Sequence, residues 1–283
     1  MFLSNGNGAG AVTSASIFWV ICYLVTLVGL LWIAIWAYFN NSIKGAIIAI
    51  IFFMMLTTSF VLSRRTLFQA GTWQQNAASF SLGFLIWAFI AGRPQSILSV
   101  AQNDLFASIA SELPEYLEFI MNTFVIPIAE ESLWIIALPD VLTFLMNQTA
   151  KDKRFGFFSN KVLQLAVIIV VGSVTFAVFH IGNLAIMSFI IAAIVFRTAM
   201  LLFVVGDSNW NLLPFISVVP AFAVGAHIAN NWAAYGFGDG VQLLLQNIST
   251  GWIVFLFLGI IFLSAIEYFF GIFLKWFDPA RGG

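Results

Sequence analysis

From Ile17 to Phe39 the chain carries no charged side chain, and stretches of the same character recur along most of its length. A backbone can cross hydrocarbon only if its N–H and C=O groups are bonded within the structure, and about 20 apolar residues span a ~30 Å layer, so serial stretches of this kind restrict the chain to membrane helices. They lie near residues 17–39, 43–62, 77–92, 117–147, 162–182, 184–205, 210–235 and 251–275, the third being short and containing Gly83 and Gly92. Of 283 residues, 61% are hydrophobic and 8% charged, against about 25% charged in an average soluble domain. The expected fold is all-α, a polytopic membrane helix bundle of about eight transmembrane helices.

Residues 1–16 are small, polar and Gly-rich without Lys or Arg, and read as a flexible tail rather than a secretory leader. With no internal repeat or Pro-rich linker, residues 17–283 read as a single transmembrane helical domain whose motif-bearing core is 117–235. The lone Cys22 has no intrachain disulfide partner. A net charge of −1 argues against a nucleic-acid partner. Cytoplasmic loops hold an excess of Lys and Arg. Eight spans place Arg64, Arg65, Lys151, Lys153, Arg154, Lys161, Lys275 and Arg281 on one side and only Lys44 and Arg93 on the other, so both termini of this multi-pass protein are expected to be cytoplasmic. Residues 96–118, with Asp104, Glu112, Glu115 and Glu118, read as an interfacial helix on the outer surface. Lys151 to Arg154 read as a positive-inside anchor, and the 32 Phe and 10 Trp as lipid-facing and interfacial packing.

Ionisable side chains at membrane depth cost at least ~2.5–3.5 kcal/mol each on insertion scales, so they face the bundle interior and mark function. Here they are Glu130, Glu131, His180, Arg197, His227 and Glu267, with Asp140 nearer a helix end, and both histidines of the chain are among them. His227 and Asn231 share a helix face, as do Phe176 and His180. Glu130 and Glu131 stand ~100° apart on theirs, so one can address the histidines while the other addresses a flanking helix.

A low-dielectric pocket and a neighbouring carboxylate separate the titrations of two glutamates, which lets one act as general base toward water near pH 7. A histidine can orient that water, and a second histidine with an amide can donate to the oxyanion of a tetrahedral intermediate. Glu130, His180 and His227 also approximate the His₂Glu set of catalytic zinc, so a metal variant stands beside the metal-free glutamate mechanism. Both variants hydrolyse an amide bond in a membrane-associated peptide or protein.

The order Glu130-Glu131, Phe176-Ala-Val-Phe-His180 and His227-Ile-Ala-Asn-Asn231, on three separate spans, resembles the CPBP intramembrane proteases, the family of type II CAAX prenyl endopeptidases and Abi-like relatives. The resemblance covers residues 130–231 and implies an eight-helix fold. It implies that one of Glu130 and Glu131 activates water, that His180 positions it, and that His227 with Asn231 forms the oxyanion site. The chain departs from the family's Glu-Glu-x-x-x-Arg at Ile135, leaving Arg197 as the cation at depth that could pair with a glutamate. The charge count sets the glutamates toward the outer face, away from cytoplasmic prenylated substrates, so no substrate follows from the resemblance.

Two other classes fit the same residues. A proton-coupled transporter or channel would use Glu130, Glu131, His180 and His227 as a relay, but the inner halves of spans five and seven are nearly apolar, which favours a closed pocket. A catalytically inactive relative acting as scaffold or chaperone is motivated by Ile135.

Overall fold

A computed structural model describes residues 14–68, 72–91, 113–178 and 219–277, and among the described residues the secondary structure is helical, without a strand. Helices α1 (Ser14–Phe39) and α2 (Ile43–Phe68) form a hairpin. Its turn places Asn41 in the left-handed region at φ 60°, which Asn tolerates better than most residues with a Cβ. The Ser42 hydroxyl oxygen then accepts the Gly45 N–H at 3.3 Å and caps α2. Small side chains, Ala34 and Ala37 on α1 and Ala46 and Ala49 on α2, are buried in this pair, as membrane helices need where no solvent drives them together.

Helix α3 (Trp73–Ala91) begins on a reciprocal cap in which the Gln75 N–H donates to Thr72 Oγ1 and the Thr72 N–H donates to Gln75 Oε1. Indole N–H groups fasten it on two sides, Trp19 donating to Asn76 at 3.0 Å and Trp73 donating to Ser264 at 2.8 Å.

Next comes one continuous helix built from α4 (Glu115–Ile120), a π turn (Met121–Val125), α5 (Ile126–Glu131), a second π turn (Ser132–Ala137) and α6 (Leu138–Thr149). Every junction residue keeps right-handed helical dihedrals. Glu115 and Glu118 therefore begin the helix that carries Glu130 and Glu131, instead of ending a separate interfacial helix. Pro114 supplies the N-cap residue, and acidic side chains in a first turn suit the positive end of a helix dipole. Residues 92–112, the rest of that expected interfacial helix, lie outside the described residues.

A 3₁₀ turn (Lys153–Ser159) leads to α7 (Lys161–Val178), and the chain is described again at α8 (Val219–Tyr235), α9 (Phe237–Gln246) and α10 (Ile248–Phe277). Helix α9 falls where the sequence reading has no element, because Gly238, Asp239 and Gly240 between two apolar stretches resemble a loop. Packing explains the helix: Gly240 sits against Phe119 and the indole of Trp232, where a Cβ would collide with both.

The α3–α8 crossing sets the position of the site. Gly83 lies on the Phe222 carbonyl and Gly225 on the Phe80 carbonyl, so a Cβ at either would overlap backbone. This close approach accounts for the glycine inside the third apolar stretch. Around the crossing, Phe84 meets Phe80, Trp232, Phe237 and Phe262 ring to ring.

Among the described residues two helical stretches, Ile17–Phe39 and Gly251–Leu274, are long and apolar enough to cross a membrane, and the bent pair Lys153–Ser159 with Lys161–Gly172 passes the same measure jointly.

Candidate functional site

Two prolines shape the helix that carries the glutamates. Pro127 and Pro139 each occupy the second position of an α segment that follows a π turn. Proline has no N–H and its ring crowds the carbonyl one turn back, so the helix widens there instead of breaking. In the first π turn the Ile126 N–H reaches back to the Met121 carbonyl. The next bond of that pattern would join residue 127 to the Asn122 carbonyl, and Pro127 cannot donate it. The Asn122 carbonyl is thereby released to a partner on another helix.

That partner is Asn231, whose Nδ2 donates to the Asn122 carbonyl at 2.7 Å. A carbonyl only accepts, so this bond orients the Asn231 amide. Its oxygen accepts from Asn230 Nδ2 at 3.2 Å, and Asn230 Oδ1 accepts the Trp87 indole N–H at 3.0 Å. On the other side Asn122 Nδ2 donates to the Tyr235 hydroxyl at 2.6 Å, which donates to Glu118 Oε1 at 3.3 Å. A hydrogen-bonded ladder thus joins α3, α8 and the first turns of the glutamate helix.

One turn before Asn231 on α8, His227 meets both glutamates. Its Nδ1 lies 2.8 Å from Glu131 Oε1, and its Nε2 lies 3.8 Å from Glu130 Oε2. The carboxyls are buried, at 2% and 3% exposed. The histidine side chain keeps 16% of its surface, so the imidazole is the open member of the group. The expectation that one glutamate addresses the histidines and the other a flanking helix is corrected: the two ring nitrogens diverge enough that both carboxyls stand beside His227, one at 2.8 Å from Nδ1 and one at 3.8 Å from Nε2.

Of the other expected site residues, His180 and Arg197 lie outside the described residues. Phe176 is on α7 and Ile135 in the second π turn. Glu267 is on α10 and exposed. The sequence reading misses Asn122, Tyr235, Glu118 and Trp87. The available signals were the distance of five residues from Asn122 to Pro127 and the four-residue step from Asn231 to Tyr235.

Among the described residues no three His, Cys, Asp or Glu side chains are grouped to hold a metal. Glu130 and His227 are two of the three ligands the zinc variant requires. A carboxylate on the second nitrogen, as Glu131 provides, is the partner a metal-ligating histidine ordinarily has. The third ligand of the zinc variant, His180, lies outside the described residues.

Compared with protein-family models, curated proteins and solved structures, the chain matches none. The likeness to the CPBP proteases rests on the motifs alone.

Proposed function

We propose that this chain is an intramembrane endopeptidase that hydrolyses a peptide bond in a membrane-associated substrate, built as a single multi-pass domain of about eight spans with both termini cytoplasmic. The observation that supports it best is the Glu131–His227–Glu130 group, a histidine with one buried carboxyl at hydrogen-bond distance from Nδ1 and a second 3.8 Å from Nε2. Its geometry suits a division of labour. Glu131 accepts the Nδ1–H and holds the ring, so that the Nε2–H faces the substrate carbonyl oxygen. Glu130, buried with its Oε2 3.8 Å from Nε2, takes a proton from an attacking water. As water's oxygen bonds to the carbonyl carbon, negative charge develops on the carbonyl oxygen, where His227 and the second N–H of Asn231 donate. Glu130 then returns the proton to the departing amine, and the C–N bond breaks. His180 would position the water. The bond to His227 gives Glu131 the partner that the absent arginine at position 135 would supply, which counts against an inactive scaffold.

A proton-coupled transporter is the second reading, favoured by the ladder from Glu118 through Tyr235 and Asn122 to Asn231. One experiment separates them. Purified protein in liposomes is given a panel of membrane-anchored peptides, and proton uptake is followed in the same preparation, with thermal unfolding of each variant as control. Wild type should cleave, and Glu130→Gln should lose about 10²-fold or more while unfolding normally. Proton uptake abolished by Glu130→Gln, without cleavage by wild type, would replace the peptidase with the transporter. A folded wild type inert in both assays would leave the scaffold.

A further inference from the structure

The connection between α6 and α7 gathers charge and aromatic surface in one place. Lys151, Lys153, Arg154 and Lys161 stand within residues 151–161 with Asp152 as the one acidic residue, in a chain whose net charge is −1. All four cations are exposed. Among them Phe155 and Phe157 are 43% and 56% exposed, and their rings meet edge-on at 6.3 Å to form one apolar patch. A loop that only crosses water gains nothing from showing joined phenyl rings, and an apolar patch rimmed by cations marks a contact surface.

The turn is also held in shape. Asp152 Oδ1 accepts the Arg154 N–H at 3.0 Å, and the Ser159 hydroxyl donates to the Gly156 carbonyl at 2.6 Å. Asn160 Oδ1 accepts the Val162 and Leu163 N–H groups and starts α7. Gln164 Nε2 donates to Asn147 on α6 and to the Phe158 carbonyl, tying the turn to both helices. Phe158 packs onto Met146 and Ile168, so one phenylalanine anchors the turn while the other two are presented outward. Finally, the 3₁₀ turn and α7 are bent by 76° to each other. On the topology proposed above, in which α7 crosses the membrane, that bend lays the turn nearly in the plane of the headgroups.

We infer that this turn is a binding surface for anionic phospholipid headgroups. Phe155 and Phe157 enter the boundary between headgroups and acyl chains. Arg154, whose planar fork matches phosphate, engages the headgroup with Lys153, while Lys151 and Lys161 flank it. The charges select anionic over zwitterionic lipid, and the rings set the affinity for either. Because the turn is already shaped, little ordering opposes binding.

The test uses the full-length purified protein in detergent, titrated with phosphatidylglycerol or phosphatidylcholine of identical acyl chains. Retained lipid is read by native mass spectrometry and folding by thermal unfolding. Wild type should retain about fivefold or more phosphatidylglycerol over phosphatidylcholine. The Lys153→Gln/Arg154→Gln variant should fall to parity, and Phe155→Ser/Phe157→Ser should retain less of both lipids. All three should unfold alike, since these side chains are exposed. Equal retention of the two lipids by wild type, or a preference untouched in the charge variant, overturns the proposal. Displacement of phosphatidylglycerol by millimolar inorganic phosphate assigns the site to a free anion and also overturns it. So does lipid retention untouched by the phenylalanine changes, which leaves the patch to a protein partner.

Discussion

Nδ1 of His227 and Oε1 of Glu131 are 2.8 Å apart across the α5–α8 contact, in a part of the molecule where Glu131 is 3% exposed. A histidine anchored in this way has its ring orientation set by Nδ1, which fixes where Nε2 lies beside Glu130. Glu131→Gln keeps the size but replaces the charged acceptor of the Nδ1–H with a neutral amide, so the ring is polarised less and its Nε2–H stabilises the oxyanion less. It should lower the cleavage rate by about 10²-fold while leaving the thermal midpoint nearly unchanged, because the amide still fills and bonds in the site. Parallel kinetic and melting measurements check this, and an unaltered rate would remove Glu131 from the mechanism.

Pro127→Ala tests the origin of the Asn122–Asn231 bond. Alanine restores an N–H at position 127 and removes the ring that widens the helix, a penalty of about 3 kcal/mol in a helix interior. The Asn122 carbonyl is then recaptured within its own helix, and the Asn231 amide loses its orientation. The variant should melt at the same or a higher temperature yet cleave at least about tenfold more slowly, one tenfold step being about 1.4 kcal/mol. A more stable protein with undiminished activity would show that the π turn does not serve the site.

Trp87→Phe removes the N–H that orients Asn230 and, through it, Asn231. A single hydrogen bond contributes about 0.5–1.5 kcal/mol, so turnover should fall by roughly two- to tenfold with the substrate KM little changed. Asn231→Ala removes a donor outright and should cost about 10²–10³-fold. Equal, small effects from the two changes would make the ladder structural only.

Gly83→Leu places a side chain where the Phe222 carbonyl lies. Helices α3 and α8 would have to separate, at a cost of at least about 1–3 kcal/mol for overpacking. The variant should show a depressed unfolding temperature, and the Trp87–Asn230 bond that spans the same pair should be lost with it. An unchanged midpoint would refute the close crossing.

Much of this is written in the sequence, and what is not has physical causes. Apolar length alone foretells helices, and the four-residue step from His227 to Asn231 places both on one face of α8. A regular α-helix misleads for Glu130 and Glu131, since it predicts different partners for neighbours ~100° apart and takes no account of an imidazole with two nitrogens. Asn122 is hard to read because its part depends on a backbone carbonyl that Pro127 releases, a property of hydrogen-bond pattern that only the five-residue spacing to the proline betrays. Helix α9 was hidden by glycines whose purpose is to admit Phe119 and Trp232. Glu115 and Glu118 read as part of a surface helix because their charge masks the continuity of the helix that follows.

The claim that the Glu131–His227–Glu130 group activates water for peptide-bond cleavage is tested most directly by oxygen-isotope incorporation. Wild-type protein in liposomes is incubated with a membrane-anchored peptide in ¹⁸O-labelled water, and the products are weighed by mass spectrometry. The account predicts one heavy oxygen at each newly formed C-terminal carboxylate, with no product from folded Glu130→Gln. Intact peptide after incubation with folded wild type, in vesicles where the same protein carries protons in a Glu130-dependent manner, would contradict it.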